Sequence, residues 1–119
     1  QFESRAQFFA LAAQAMRNIL VSYARSRRRQ KRGGGAIHVS LSDVEELTTV
    51  DTDRILDLDE ALKNLAALNP RHARIVECRF FADMTIEETA AALGISLSTA
   101  KRDWILLRIW LRRELERTA

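Results

Sequence analysis

Apolar residues recur every three or four positions along the first 30 residues, a stretch that contains no proline or glycine between residues 2 and 30. This spacing predicts one long helix with a wide apolar face. A helix of this kind is not stable alone in water, so it needs a partner surface. We expect it to pack on the C-terminal part of the chain or on a second copy of itself, and we favour self-association. The face is formed by Phe8, Phe9, Ala12, Ala13, Met16, Ile19, Leu20 and Tyr23.

A second compact unit is predicted to begin at Asp53. Helical spacing of leucine, isoleucine and alanine continues to Leu68, where Asn69 and Pro70 indicate the cap and first position of the next helix. That helix runs to Phe81, and a short turn follows. Together with the segment described next, the pattern predicts an all-α fold in which four helices form the C-terminal unit. We expect an aromatic core made by Phe80, Phe81, Trp104 and Trp110.

Residues 85–115 have the pattern of a helix-turn-helix with a long second helix. Thr85 and Glu88 have the spacing of a capping box, which starts a helix of small residues. Gly94 then supplies the left-handed backbone of a tight turn, and Ser96 caps the second helix. A helical hairpin without nucleic-acid contacts is the alternative interpretation.

The second helix of this motif has two faces. Inward positions at helical spacing include Ala100, Trp104, Leu107 and Leu111. On the opposite face, near the start of the helix, polar, basic and apolar side chains are positioned as in a recognition helix that reads base edges in the major groove. These are Ser98, Lys101, Arg102 and Ile105.

Charge is distributed unevenly, although the net charge is only +3. Residues 1–35 carry eight basic side chains and one acidic one. Residues 36–69 carry two basic and eight acidic side chains, and residues 70–119 carry nine basic and seven acidic ones. The basic block is concentrated in residues 25–32 and ends at three consecutive glycines. We therefore predict three segments, which are a basic helix (1–32), a flexible acidic linker (33–53) and a C-terminal helical domain (54–119).

The same sequence argues against several other classes of function. It has no glycine-rich phosphate loop, no paired-histidine motif and only one cysteine, Cys78, so we predict no enzymatic activity, metal or cofactor. We expect Cys78 to be a buried structural thiol. With no apolar run of about 20 residues and no signal peptide, a cytoplasmic protein without membrane contact is expected.

In its order of motifs the chain resembles bacterial RNA polymerase sigma factors of the extracytoplasmic-function (ECF) class. Residues 17–25, RNILVSYAR, and the following arginines resemble the last helix of the promoter-melting domain, sigma domain 2. Five other segments resemble the C-terminal domain, sigma domain 4. They are LAALNPR at 65–71, RFF at 79–81, MTIEETA at 84–90, GIS at 94–96 and KRDW at 101–104.

This resemblance implies a role for each basic region. The second helix of the motif would read the −35 promoter element, and Arg79 would hold phosphate. The N-terminal helix would contact the −10 region, and the acidic linker would run through the polymerase cleft. Promoter DNA, core RNA polymerase and an anti-sigma factor are the implied partners. The implied DNA contacts are Ser98, Thr99, Lys101, Arg102 and Ile105 at the −35 element, and Asn18, Tyr23, Arg25, Arg27, Arg28 and Arg29 towards −10.

Two departures from the family pattern bear on function. Ser22 stands where the family often has a larger polar residue. The helices that grip the polymerase are missing, so we expect an N-terminally truncated fragment that does not initiate transcription by itself. Two other functions remain open, namely a stand-alone helix-turn-helix regulator that dimerises and an interaction protein that never touches DNA.

Overall fold

The computed structural model describes residues 5–32 and 52–118, and every regular element within them is an α-helix. The predicted all-α fold is therefore confirmed for these residues. The predicted linker lies outside the described residues, except that Thr52 and Asp53 already belong to a helix. The helices are α1 (Arg5–Arg32), α2 (Thr52–Leu68), α3 (Pro70–Phe81), α4 (Ile86–Leu93) and α5 (Leu97–Thr118).

Helix α1 packs against α2, α3 and α4. Of the two partner surfaces that we predicted for it, the structure shows the C-terminal part of the chain. The side chains that it buries are Ala13, Val21, Ala24 and Arg27, and the partly buried Leu20 packs against the core of the C-terminal helices. The large residues expected to make its apolar contact are instead on the solvent side, and Phe8, Phe9, Met16 and Ile19 are between 44% and 66% exposed. Small side chains let the helices approach closely along the first half of α1, and Leu20 and Val21 add aliphatic contact further along the helix.

Helices α2 to α5 enclose an aliphatic core. Its fully buried members include Leu62 of α2 and Ile75 and Val76 of α3, and Leu107 and Leu111 of α5 close it from the other side.

The prediction of an aromatic core is wrong in one important position, Phe80, which is 53% exposed. Successive helix positions point about 100° apart, so Phe81 takes the core and Phe80 lies outside it. The ring of Phe80 is tilted against that of Trp104, with 6.1 Å between the ring centroids. Both tryptophans are only partly buried and pack against the edge of the core.

The connection between α2 and α3 is as short as the sequence predicts. Asn69 has an extended backbone, and its side-chain oxygen accepts a hydrogen bond from the backbone N–H of His72 at 3.2 Å. Pro70 occupies the start of α3, where a helix has no use for a backbone N–H. The two helices therefore follow each other directly and bury their apolar faces against each other.

Candidate nucleic-acid interface

The start of α4 is held by a complete capping box. Thr85 Oγ1 accepts a hydrogen bond from the backbone N–H of Glu88 at 3.0 Å, and a Glu88 carboxylate oxygen accepts one from the backbone N–H of Thr85 at 2.8 Å. Both bonds satisfy donors that a helix start would otherwise leave without a partner. The first turn of α4 is therefore fixed by residues within four positions of one another.

The turn between α4 and α5 depends on Gly94, whose φ of 69° lies in the left-handed region. Backbone N–H groups of Gly94 and Ile95 donate to carbonyls of Ala91 and Ala90, at 3.3 and 3.1 Å. Ser96 Oγ then accepts from the backbone N–H of Thr99 at 3.1 Å and caps α5. Caps and turn lie at the residues that the sequence predicts.

The first turns of α5 present an exposed face of mixed chemistry. Ser98, Lys101, Arg102 and Ile105 are all exposed, whereas Thr99 is half-buried and its hydroxyl receives a hydrogen bond from Ser96 Oγ at 2.9 Å. On the other side of the helix Ala100, Leu107 and Leu111 are buried. The exposed side chains are therefore carried on a helix whose opposite face is fixed in the core.

Asp103 anchors this helix from behind and is only 7% exposed. One of its carboxylate oxygens accepts from Arg71 Nε at 3.1 Å and lies 2.9 Å from Arg71 Nη2. The other oxygen lies 3.5 Å from His72 Nε2. Since Arg71 and His72 are in the first turn of α3, the contact sets the rotation of α5 about its own axis relative to α3.

Arg79 is bound within the protein rather than extended into solvent. Its Nη1 donates to the backbone carbonyl of Met84 at 2.6 Å, and its guanidinium lies 4.8 Å from the centroid of the Trp104 ring. Arg79 thus connects the end of α3 and the following turn to α5. Its role in holding phosphate stays a prediction.

The basic half of α1 differs residue by residue. Arg27 is buried at 8% exposure, Arg28 Nη2 lies 2.9 Å from an Asp53 carboxylate oxygen, and Arg25 Nη2 lies 3.7 Å from one of Asp59. Arg29 is exposed. The run of arginines is therefore not one uniform solvated cluster.

The two groups of predicted DNA contacts are on separate surfaces. Among the described residues, α1 packs against α2, α3 and α4 but not against α5. Asn18 on α1 is exposed and Tyr23 is half-buried. The residues predicted for the −35 element and for the −10 region are therefore carried by helices that do not pack against each other.

Sequence reasoning missed two charged residues that organise these surfaces, Asp103 and Arg17. Asp103 follows Ala100 by three positions and precedes Leu107 by four, so helical spacing placed it on the buried stripe. Arg17 falls four positions from both Ala13 and Val21 on the buried stripe of α1. In both cases a charged residue occupies a position whose spacing matches the buried residues of its helix. That pattern indicates a buried charge that needs a partner, and it could have identified both residues.

Cys78 is buried at 1% exposure, as the sequence predicts. Burial is the largest cause that raises the pKa of its thiol to about 11, with the negative charge of Glu77 acting in the same direction and Arg74 opposing it. No group of side chains in the described ranges has the composition and spacing to hold a metal ion. None of the described helices is long and apolar enough to cross a membrane.

With this geometry in place, comparison with known proteins decides the family. A family model for ECF sigma factors matches residues 1–117. The chain belongs to the ECF sigma factor family. Members of this family are transcription initiation factors rather than enzymes.

Two relatives share the name RNA polymerase sigma-E factor. The protein from Streptomyces antibioticus is 42% identical over 73 residues, which is 61% of this chain and 38% of the relative. The protein from Streptomyces avermitilis is 40% identical over 75 residues, which is 63% of this chain and 40% of the relative. The match therefore covers about two fifths of the length of each of these two relatives. No solved structure matches.

Proposed function

We propose that this chain contributes the promoter-recognition part of an ECF sigma factor that directs RNA polymerase to its promoters. The observation that carries the proposal is the exposed face of α5, where Ser98, Lys101 and Arg102 point to solvent while Asp103 and Leu107 are buried behind them. Arginine and lysine on a rigid helix donate to the O6 and N7 acceptors of guanine in the major groove. Helix α5 reads the −35 element as a helix-turn-helix recognition helix, with Thr99 and Ile105 at the edges of the contact.

In the same proposal α1 supplies contacts towards the −10 region. Asn18 offers an exposed amide, Tyr23 an aromatic ring for an unpaired base, and Arg25, Arg28 and Arg29 offer charge to phosphates. Arg27, which is buried in this arrangement, contributes only if α1 leaves the surface on which it packs. Core RNA polymerase and an anti-sigma factor are the protein partners, and the protein acts in the cytoplasm.

A second candidate is a stand-alone helix-turn-helix regulator that dimerises. It is favoured by the exposed apolar side of α1, where Phe8, Phe9, Leu11, Met16 and Ile19 are all at least 44% exposed. A second copy of the chain would cover this side by self-association. The two candidates differ in symmetry, because a two-fold dimer binds a palindrome.

Selection of binding sites from random duplex DNA, followed by hydroxyl-radical footprinting, tests the proposal. We expect enrichment of one asymmetric site about the length of a hexamer, with binding that weakens as salt rises because phosphate contacts release counterions. A palindromic site protected by a dimer would support the regulator instead. If no site is enriched and no salt-dependent binding occurs, both DNA-binding candidates are wrong and the chain is an interaction protein.

A further inference from the structure

Arg17 of α1 is inserted between two carboxylates of the C-terminal helices. Its Nε donates to Asp59 Oδ1 at 2.8 Å, its Nη1 to Glu77 Oε2 at 3.0 Å and its Nη2 to the backbone carbonyl of Asp59 at 3.3 Å. The side chains are 16%, 8% and 6% exposed for Arg17, Asp59 and Glu77 respectively. We call these three residues the Arg17 socket. They join α1 to both α2 and α3.

The socket adds charged hydrogen bonds to an apolar contact that is made by small side chains on its N-terminal side and by Leu20 and Val21 on its C-terminal side. Ala6, Ala10 and Ala13 of α1 pack around Cys78 and Ala92. Each alanine removes little apolar surface from water. By contrast, withdrawal of Arg17 would leave the buried Glu77 carboxylate without this guanidinium, which is unfavourable, whereas Asp59 would keep Lys63 at 3.4 Å.

Docking of α1 also occupies three of the four arginines that the proposed function assigns to DNA, and Arg29 stays exposed. Arg25 lies near Asp59, Arg28 is paired with Asp53 and Arg27 is buried. A carboxylate and a phosphate offer the same kind of anionic oxygen acceptor to a guanidinium. The acidic side chains of α2 and the phosphates of DNA therefore cannot hold the same arginines at the same time.

We propose that the Arg17 socket is an autoinhibitory contact, which holds α1 on the C-terminal helices and withholds Arg25, Arg27 and Arg28 from DNA. This proposal rests on the proposed function for the DNA contacts of α1. DNA phosphates compete with Asp53 and Asp59 and release α1, whereas Lys101 and Arg102 on α5 stay exposed in both states. Because binding and release are linked, weakening the socket must strengthen binding of DNA to α1.

The chain carries its own reporter of this release. Cys78 is the only cysteine in the sequence, and it is packed against Ala13 of α1. Its thiol reacts slowly while α1 is docked, because it is buried and its pKa is raised to about 11. Departure of α1 exposes the thiol, so the rate of modification by a disulfide reagent measures the fraction of undocked chains.

The experiment compares the full chain with Arg17→Ala, with Asp59→Asn and with the control Arg5→Ala, which changes an exposed arginine on the same helix. We expect Arg17→Ala and Asp59→Asn to raise the rate of Cys78 modification at pH 8 about tenfold or more. Both should also tighten binding to random duplex DNA severalfold. Addition of that DNA at low salt should speed modification of the unchanged chain, and Arg5→Ala should match the unchanged chain in its rate of Cys78 modification.

The readouts separate the possible failures. Removal of the Arg17 cation cannot lower the pKa of a nearby thiol, so faster modification by that variant reports exposure, and circular dichroism checks that the helices remain. Faster modification of Cys78 without tighter DNA binding would show that the contact is not autoinhibitory, and it would leave the proposed function unaffected. An unchanged rate of Cys78 modification in both variants would show that the Arg17 socket does not hold α1 in place. Absence of DNA binding by every protein would overturn the proposed function and the competition together.

Discussion

Two basic helices in this protein hold their charges in opposite ways. On α5, Lys101 and Arg102 are exposed, and the face behind them is fixed in the core by Leu107 and Leu111. On α1, the arginines from 25 to 28 are paired or buried against the C-terminal helices. The difference shows that the number of arginines in a helix does not measure how well that helix can bind nucleic acid. What matters is which surface the opposite face of the helix occupies.

The anchoring of each helix explains this difference. Both are anchored by a charged side chain at a buried position, but Asp103 turns inward from α5 and leaves the basic residues outside. Arg17 turns inward from α1 and brings the basic residues of that helix against Asp59 and Asp53. The same kind of contact therefore presents one basic surface and covers the other.

The largest effect is expected from the change that breaks the anchor of α5. Asp103→Ala removes the acceptor shared by Arg71 and His72, and hydrogen bonds to a charged group are each worth about 1.5–3 kcal/mol. We expect the free energy of unfolding to fall by about 2–3 kcal/mol, measured by urea denaturation. Glu87→Ala, an exposed carboxylate on α4, is the matched control and should change stability by less than about 0.5 kcal/mol. Equal stabilities of the two variants would show that Asp103 does not anchor α5.

The exposed face of α5 is tested by Lys101→Ala and Arg102→Ala. Each should weaken binding to the selected site by about 1–3 kcal/mol, because a bidentate contact with a base contributes that much discrimination. Arg117→Ala is the control on the same helix, about 22 Å further along at 1.5 Å per residue. Fluorescence anisotropy at several salt concentrations provides the measurement. If both variants bound as tightly as the control, the recognition role of α5 would be excluded.

The smallest effect is expected from the basic half of α1. Replacement of Arg28 and Arg29 by Gln should flatten the logarithmic dependence of binding on salt by about one to two units, because each arginine that binds a phosphate adds about one unit to the slope. The ratio of specific to random affinity should hardly change, because phosphate contacts carry no sequence information. Arg27 is left intact because it is buried and its replacement would disturb packing. Loss of sequence preference with an unchanged salt slope would reverse the roles of the two helices.

Local features of the fold could be predicted from sequence because their partners are close along the chain. The capping box joins residues three apart, and the turn requires only the backbone freedom of Gly94. The Arg17 socket could not be predicted in this way, because its partners lie 42 and 60 residues away. The predicted apolar face of α1 did not include Arg17, and only the structure shows which carboxylates surround its side chain.

The wrong predictions for Phe80 and for α1 also concern contacts between residues that are far apart in the sequence. Phe80 and Phe81 are both suited to a core, and only the direction of α3 decides which of them enters it. For α1, we predicted one wide apolar face, but only part of it, including Ala13 and Leu20, lies against the C-terminal helices. The structure packs the alanine face, because the surface formed by α3 and α4 is itself lined with small side chains such as Cys78 and Ala92. Self-association through the other face stays a prediction.

The alanine contact of α1 has a mechanical consequence. Large side chains that interdigitate must change rotamers before two helices can separate, so such helices come apart only when the core around them rearranges. Ala6, Ala10 and Ala13 have no such rotamers and lie on Cys78 and Ala92 as one nearly smooth surface on another. Separation at these alanines therefore needs no change of rotamer, and only Leu20 of α1 has to withdraw from the core formed by Leu62, Ile75 and Val76.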